Sequence, residues 1–103
     1  MASLEQHCQD CVEQLGEEYR EVHIWLDEFF AQMPGDFRHR KYRHHTAGVL
    51  EALAKWGEKG AKAAEIHIRR DFPNLGRIPT REDWIHPDSL LKHCDFMQNI
   101  FPH

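Results

Sequence analysis

Apolar residues recur at steps of three and four along most of this chain, and nowhere do apolar and polar residues alternate for long enough to form a strand. A chain patterned this way is confined to helices that each bury one stripe against a shared core. Ser3 followed by Gln6 reads as a capping box, Leu4, Cys8, Cys11, Val12 and Leu15 keep the helical step, and Gly16 offers a C-cap, which predicts a first helix over about 4 to 15. From Glu17 to Met33 the stripe Tyr19, Val22, Leu26, Phe29, Phe30 predicts a second helix, stopped by Pro34-Gly35, with Glu17, Glu18 and Glu21 suiting its positive end.

Asp36 can cap a third helix whose stripe is Tyr42, Thr46, Val49, Leu50, Leu53 and Trp56, ending at Gly57. A fourth, alanine-rich helix is expected from Glu58 to Phe72, with Pro73-Asn74 stopping it and its small face permitting close packing. Thr80 and Asp83 suggest a one-turn capping box around Trp84, and Asp88 or Ser89 caps a last helix through Leu90, Leu91, Cys94, Met97 and Ile100. The expected fold is all-α, a bundle of four to five helices forming one domain over residues 1–103, without repeat, linker or low-complexity segment.

Hydrophobic residues make up 41% and charged residues 29%, enough apolar surface for a folded globule. The opening MASLEQHCQD lacks a basic segment followed by an apolar stretch, and no run of 18 apolar residues occurs, so the expectation is a cytoplasmic chain with no membrane partner. Residues 1–35 hold eight acids and one base, residues 36–77 five acids and ten bases, and residues 78–103 four acids and two bases. The first and second parts can therefore attract each other, within one chain or across a homodimer. An overall charge of −4 argues against nucleic acid as the partner of the basic stretch Arg38-His39-Arg40-Lys41-Tyr42-Arg43-His44-His45. Cations at a helix start oppose its dipole, and the acidic helices one and two are the nearer compensation.

Nine histidines in 103 residues are the chemical anomaly. His23 and Asp27 on helix two, and His67 and Asp71 on helix four, repeat a His-x-x-x-Asp spacing that presents a nitrogen and a carboxylate on one helical face, as two metal ligands or as a ligand and its orienting carboxylate. On helix three His45, four before Val49, turns toward the core, and His44 points a quarter turn away. If these helices pack together, His23, His45 and His67 could converge with Asp27 or Asp71 on a zinc, iron or manganese ion. The alternative is that each histidine is a satisfied core or interface residue.

His7-Cys8-x-x-Cys11 has no partner pair at zinc-finger spacing, so Cys8 and Cys11 are expected to pack as small apolar residues, and the odd count with Cys94 argues against a disulfide framework. Gly57 to Gly60 lacks the lysine and hydroxyl residues of a phosphate loop, and no serine or cysteine nucleophile signature is present. Trp25, Trp56 and Trp84, with Phe96 and Phe101, read as core or interface.

Taken in order, HCQDC, EVHIWLDEF, HRKYRHH and AAEIHIRRD resemble a family of short uncharacterised bacterial proteins with the same run of histidine blocks, often encoded on mobile elements, over residues 1 to about 72. That resemblance implies an all-helical fold and no assigned activity. RHHTAGVLEAL followed by AAEIHIRRDFPNLGRIP is also faintly similar to the HD-type metal phosphohydrolases, although the family's adjacent His-Asp dyad is missing, since Ile68 follows His67. By position that likeness implies His44 or His45, His67 and Asp71 as ligands, and phosphate-ester hydrolysis by a metal-bound hydroxide. The reading that results is a small helical binding or accessory protein with a His/Asp metal site; the alternatives are a phosphohydrolase of HD-like type and a metal-free dimeric interaction protein.

Overall fold

The computed structural model describes residues 3–32 and 37–93. The first helix, α1 (Leu4–Leu15), forms where its local signals put it: Ser3 Oγ accepts the Gln6 backbone N–H at 3.1 Å, and Gly16, at φ 83°, closes the other end by donating to the Val12 carbonyl at 3.0 Å. Its buried face carries His7, Cys8 and Cys11.

Helix α2 (Arg20–Leu26) is much shorter than the stripe from Glu17 to Met33 suggested. The chain enters it through Tyr19 at φ 51°, ψ 42°, a left-handed conformation that costs a non-glycine residue about 1–3 kcal/mol. It leaves by a 3-10 stretch over Glu28–Gln32, in which Phe30 N–H donates to the Asp27 carbonyl. A tertiary contact sits at the early stop: Arg43 Nη1 donates to the Trp25 carbonyl at 2.8 Å, an acceptor that a continuing helix would offer to residue 29, and the guanidinium lies 4.4 Å from the centre of the Trp25 ring.

A second 3-10 stretch, Phe37–Tyr42, precedes α3 (Thr46–Asp71). The third helix thus starts at Thr46, and the proposed cap Asp36, with Met33 and Pro34-Gly35, lies outside the described residues. His45 is the cap, its Nδ1 accepting the Gly48 N–H at 3.0 Å. Keeping most of the basic run ahead of the first turn spares it the unfavourable pole of the helix dipole. Gly48 has no room for a side chain, because a Cβ there would strike the Arg43 carbonyl.

The expected third and fourth helices abut without a loop inside α3, separated by a single residue, Gly57, at φ 77°, ψ −170°. The core side of α3 is Gly48, Ala52, Gly60, Ala63, Ala64, His67, Ile68 and Asp71, and these small residues let α1 and α2 lie close. Leu50 and Leu53, which the stripe had assigned inward, are 65% and 40% exposed. After Phe72 an irregular strap returns over the bundle. Its Thr80/Asp83 box is reciprocal, Thr80 N–H donating to Asp83 Oδ2 at 2.7 Å and Asp83 N–H to Thr80 Oγ1 at 3.3 Å, and it presents Trp84 to Phe72 and to the His44 carbonyl, which accepts Trp84 Nε1–H at 2.9 Å. The last described helix, α4 (Asp88–Leu91), seats Leu90 in the core; the expected continuation through Cys94, Met97 and Ile100, like Phe96 and Phe101, lies outside the described residues.

The fold is all-α, and among the described residues there is no strand and no helix long and apolar enough to cross a membrane. The acidic first part and the basic second part attract each other within the chain, through Arg43–Glu28 at 2.9 Å and Arg70–Asp10 at 3.3 Å. Gly57 occupies a backbone region open almost only to glycine, so Gly57→Ala should destabilise the chain by about 1–3 kcal/mol in denaturant unfolding. A neutral substitution would show that α3 runs unbroken.

Candidate metal centre

Three elements meet at one point in the core. Asp27 stands at the C-terminal end of α2, His44 two residues before α3, and His67 and Asp71 one turn apart near the end of α3. Their donor atoms all lie within 4.8 Å of one another. His44 Nε2 is 3.1 Å from Asp71 Oδ2 and 3.4 Å from Asp27 Oδ1, and His67 Nε2 is 3.3 Å from both Asp71 Oδ2 and Asp27 Oδ2. Donors bound to a single ion at about 2.0–2.2 Å stand about 3.0–3.5 Å apart, along the edges of an octahedron or tetrahedron. His44, His67 and Asp71 are at most 1% exposed, whereas the Asp27 side chain is 33% exposed and forms the solvent side of the group.

Around these four lies a second set of buried groups. Arg40 Nη2 is 3.1 Å from Asp71 Oδ1, and His7 Nε2 is 3.4 Å from the same oxygen. The His7 ring stacks on His67 with centroids 3.5 Å apart and planes at 12°. His23 places Nδ1 3.0 Å from His67 Nδ1 and Nε2 2.9 Å from the Glu18 carbonyl oxygen. His67 Nε2, though flanked by two carboxylates, is buried and makes no directed hydrogen bond.

Burial opposes charge throughout this cluster, and the balance differs group by group. Desolvation works to lower the His67 pKa, but Asp71 and Asp27 overcome it and raise it to about 9. Desolvation works to raise Asp71, but Arg40 and His67 hold it well below the usual carboxylate range. His23 is pushed down to about 4 by burial and by the neighbouring His67 charge, and His7 is lowered by burial, which the Asp71 hydrogen bond only partly offsets. The lowered His7 and His23 favour the neutral ring, while Arg40 and the raised His67 hold positive charge against the buried Asp71 carboxylate.

Of the six residues singled out from sequence, four converge: Asp27, His44, His67 and Asp71. The His23 ring meets the group at His67 Nδ1. His45 is apart from it, with Nδ1 serving Gly48 and Nε2 beside the Tyr42 carbonyl. Both adjacent histidines are buried, but His44 and not His45 reaches the cluster, because residues 44 and 45 precede the helix and a helical wheel drawn back from Val49 does not apply to them. His7 had been weighed only beside Cys8 and Cys11, and Arg40 was missed. His7 left a signal, lying one turn from the core residue Cys11, whereas Arg40 had nothing to separate it from its basic neighbours. Cys8 and Cys11 are buried free thiols, and burial pushes the Cys11 pKa up to about 11, which suits apolar packing and not thiolate ligation.

Residues 2–93 match the profile of a domain family of unknown function, DUF6915. The chain belongs to that family. The matched stretch contains all four converging donors together with His7, His23 and Arg40. No curated protein and no solved structure matches the chain.

The shifts fix a pH profile for the metal-free chain. His67, raised to about 9, adds stability that is whole below pH 6.5 and lost as pH climbs through 9. His23, lowered to about 4, adds stability lost as pH falls from 6.5 through 4, and Asp71 adds more that is lost in stronger acid. Thermal unfolding in chelator should therefore peak between about pH 6 and 7, and a melting temperature still rising at pH 9 would contradict this balance. Arg40→Met strands a buried carboxylate and should cost about 3–5 kcal/mol.

Proposed function

We propose that this chain is a metal-binding helical domain that holds one divalent transition-metal ion between Asp27, His44, His67 and Asp71. The observation that carries the reading is the donor spacing: the four distances from a His nitrogen to an Asp oxygen, across three separate chain segments, are 3.1–3.4 Å, and all the donors lie within 4.8 Å of one another. Two imidazoles and two carboxylates suit zinc, iron or manganese. One ion is favoured over two because Arg40 places its guanidinium against Asp71 Oδ1, where a second cation would have to sit.

The partly exposed Asp27 supports a second reading, in which the open side admits substrate and the ion supplies Lewis acidity for hydrolysis of a phosphate ester, as the faint likeness to HD-type enzymes implies. Turnover of a generic phosphodiester by the manganese-loaded chain, lost in Asp71→Asn, would support it.

Elemental analysis of untagged protein purified without chelator should find about one transition-metal ion per chain. His67→Ala, His44→Ala and Asp71→Asn should each abolish tight binding, while His45→Ala should keep it and lose about 1 kcal/mol of stability as a helix cap. Metal at one hundred times its Kd should stabilise the native chain by about 2.7 kcal/mol. A metal-free preparation that gains no stability from added zinc, iron or manganese would overturn the reading.

A further inference from the structure

Hydrogen-bond bookkeeping along one line of buried atoms assigns a role to His23, on the basis of the metal reading above. A backbone carbonyl can only accept, so the contact of 2.9 Å between His23 Nε2 and the Glu18 oxygen requires the proton to be on Nε2. In the neutral ring Nδ1 is then bare, and it lies 3.0 Å from His67 Nδ1. Two bare nitrogens at that distance would repel, so His67 Nδ1 carries the hydrogen and donates it to His23. When an ion displaces the second proton of His67, the nitrogen left to offer a lone pair is Nε2, the atom that sits between Asp27 and Asp71 without a directed hydrogen bond.

We propose that His23 is a positioning residue that fixes His67 in the Nδ1–H tautomer and so presents Nε2 to the ion. Metal-ligating histidines are generally oriented by a partner on their other nitrogen, most often a carboxylate, a carbonyl or water. Here the partner is a second imidazole, itself anchored on the main chain. The anchor explains the strained entry to α2: the left-handed turn at Tyr19 orients the Glu18–Tyr19 peptide so that the Glu18 carbonyl points back at His23 one turn into the helix. Both rings are fully buried, with planes at 18°, so no water competes for either nitrogen.

The test compares two substitutions of His23 and reads zinc affinity by competition with a chromophoric chelator. His23→Gln keeps an acceptor for His67 and a donor for Glu18, whereas His23→Leu keeps the bulk and removes both. His23→Leu should weaken zinc binding about 10–100-fold, and His23→Gln should stay within a few-fold of the native chain. Nitrogen-15 NMR of the zinc-loaded native chain gives a readout independent of folding: His67 should show zinc on Nε2, a proton on Nδ1, and a coupling across the hydrogen bond to His23 Nδ1. Zinc on Nδ1, native affinity in His23→Leu, or equal losses in both variants with intact circular dichroism would overturn the positioning role while leaving the metal site standing. A native chain that binds no zinc would overturn the site and this role together.

Discussion

A carboxylate buried in the core of a small protein must be compensated, and Asp71, with 0% of its surface exposed, is compensated by groups drawn from four places in the chain. Arg40 comes from the 3-10 stretch before α3, His7 from α1, His44 from the turn that starts α3, and His67 from one helical turn away. To reach it, α1 turns a histidine inward on the face it shares with Cys11, and the segment ahead of α3 folds back as a 3-10 turn. The small face of Ala63 and Ala64 allows these approaches, since larger residues there would hold α1 and α2 further away. The apolar core and the polar cluster thus occupy adjoining parts of the same helix.

Stability gives little reason for such a cluster. A buried ion pair repays its desolvation only partly, and well-packed apolar residues at the same positions are often as stable or more so. Three histidine rings stacked beside two carboxylates and a guanidinium are a costly way to fill a core unless the arrangement is used. The left-handed Tyr19 adds to that cost, and such strain gathers where geometry serves a site.

The parts of the fold legible in the sequence are those decided by neighbours in the chain. α1 was readable from Ser3, Gln6 and Gly16 because its caps and its periodicity are local, and the Thr80/Asp83 box was readable for the same reason. The extent of α2 was not, because a group that meets its end, Arg43 on the Trp25 carbonyl, comes from eighteen residues away. At the candidate site, the His67/Asp71 spacing was visible because both sit on regular helix. The choice between His44 and His45 was not, because it turns on where α3 begins, and the strap contributes to that start when Thr46 donates to the Pro79 carbonyl. The inward positions of Leu50 and Leu53 were misjudged because periodicity gives a stripe without saying which elements arrive to cover it.

The placement of the four donors also bears on how fast an ion could come and go. Asp27 caps the end of α2, His44 precedes α3 and Asp71 is the last residue of α3, so three of the four sit at helix ends, where the backbone opens at the lowest free energy. An ion held there would be released by fraying at a single end and would not have to wait for the bundle to unfold. Asp27, on the shortest of these elements and nearest to solvent, is the natural first contact to break, which makes exchange lifetime and global stability separable properties of this chain.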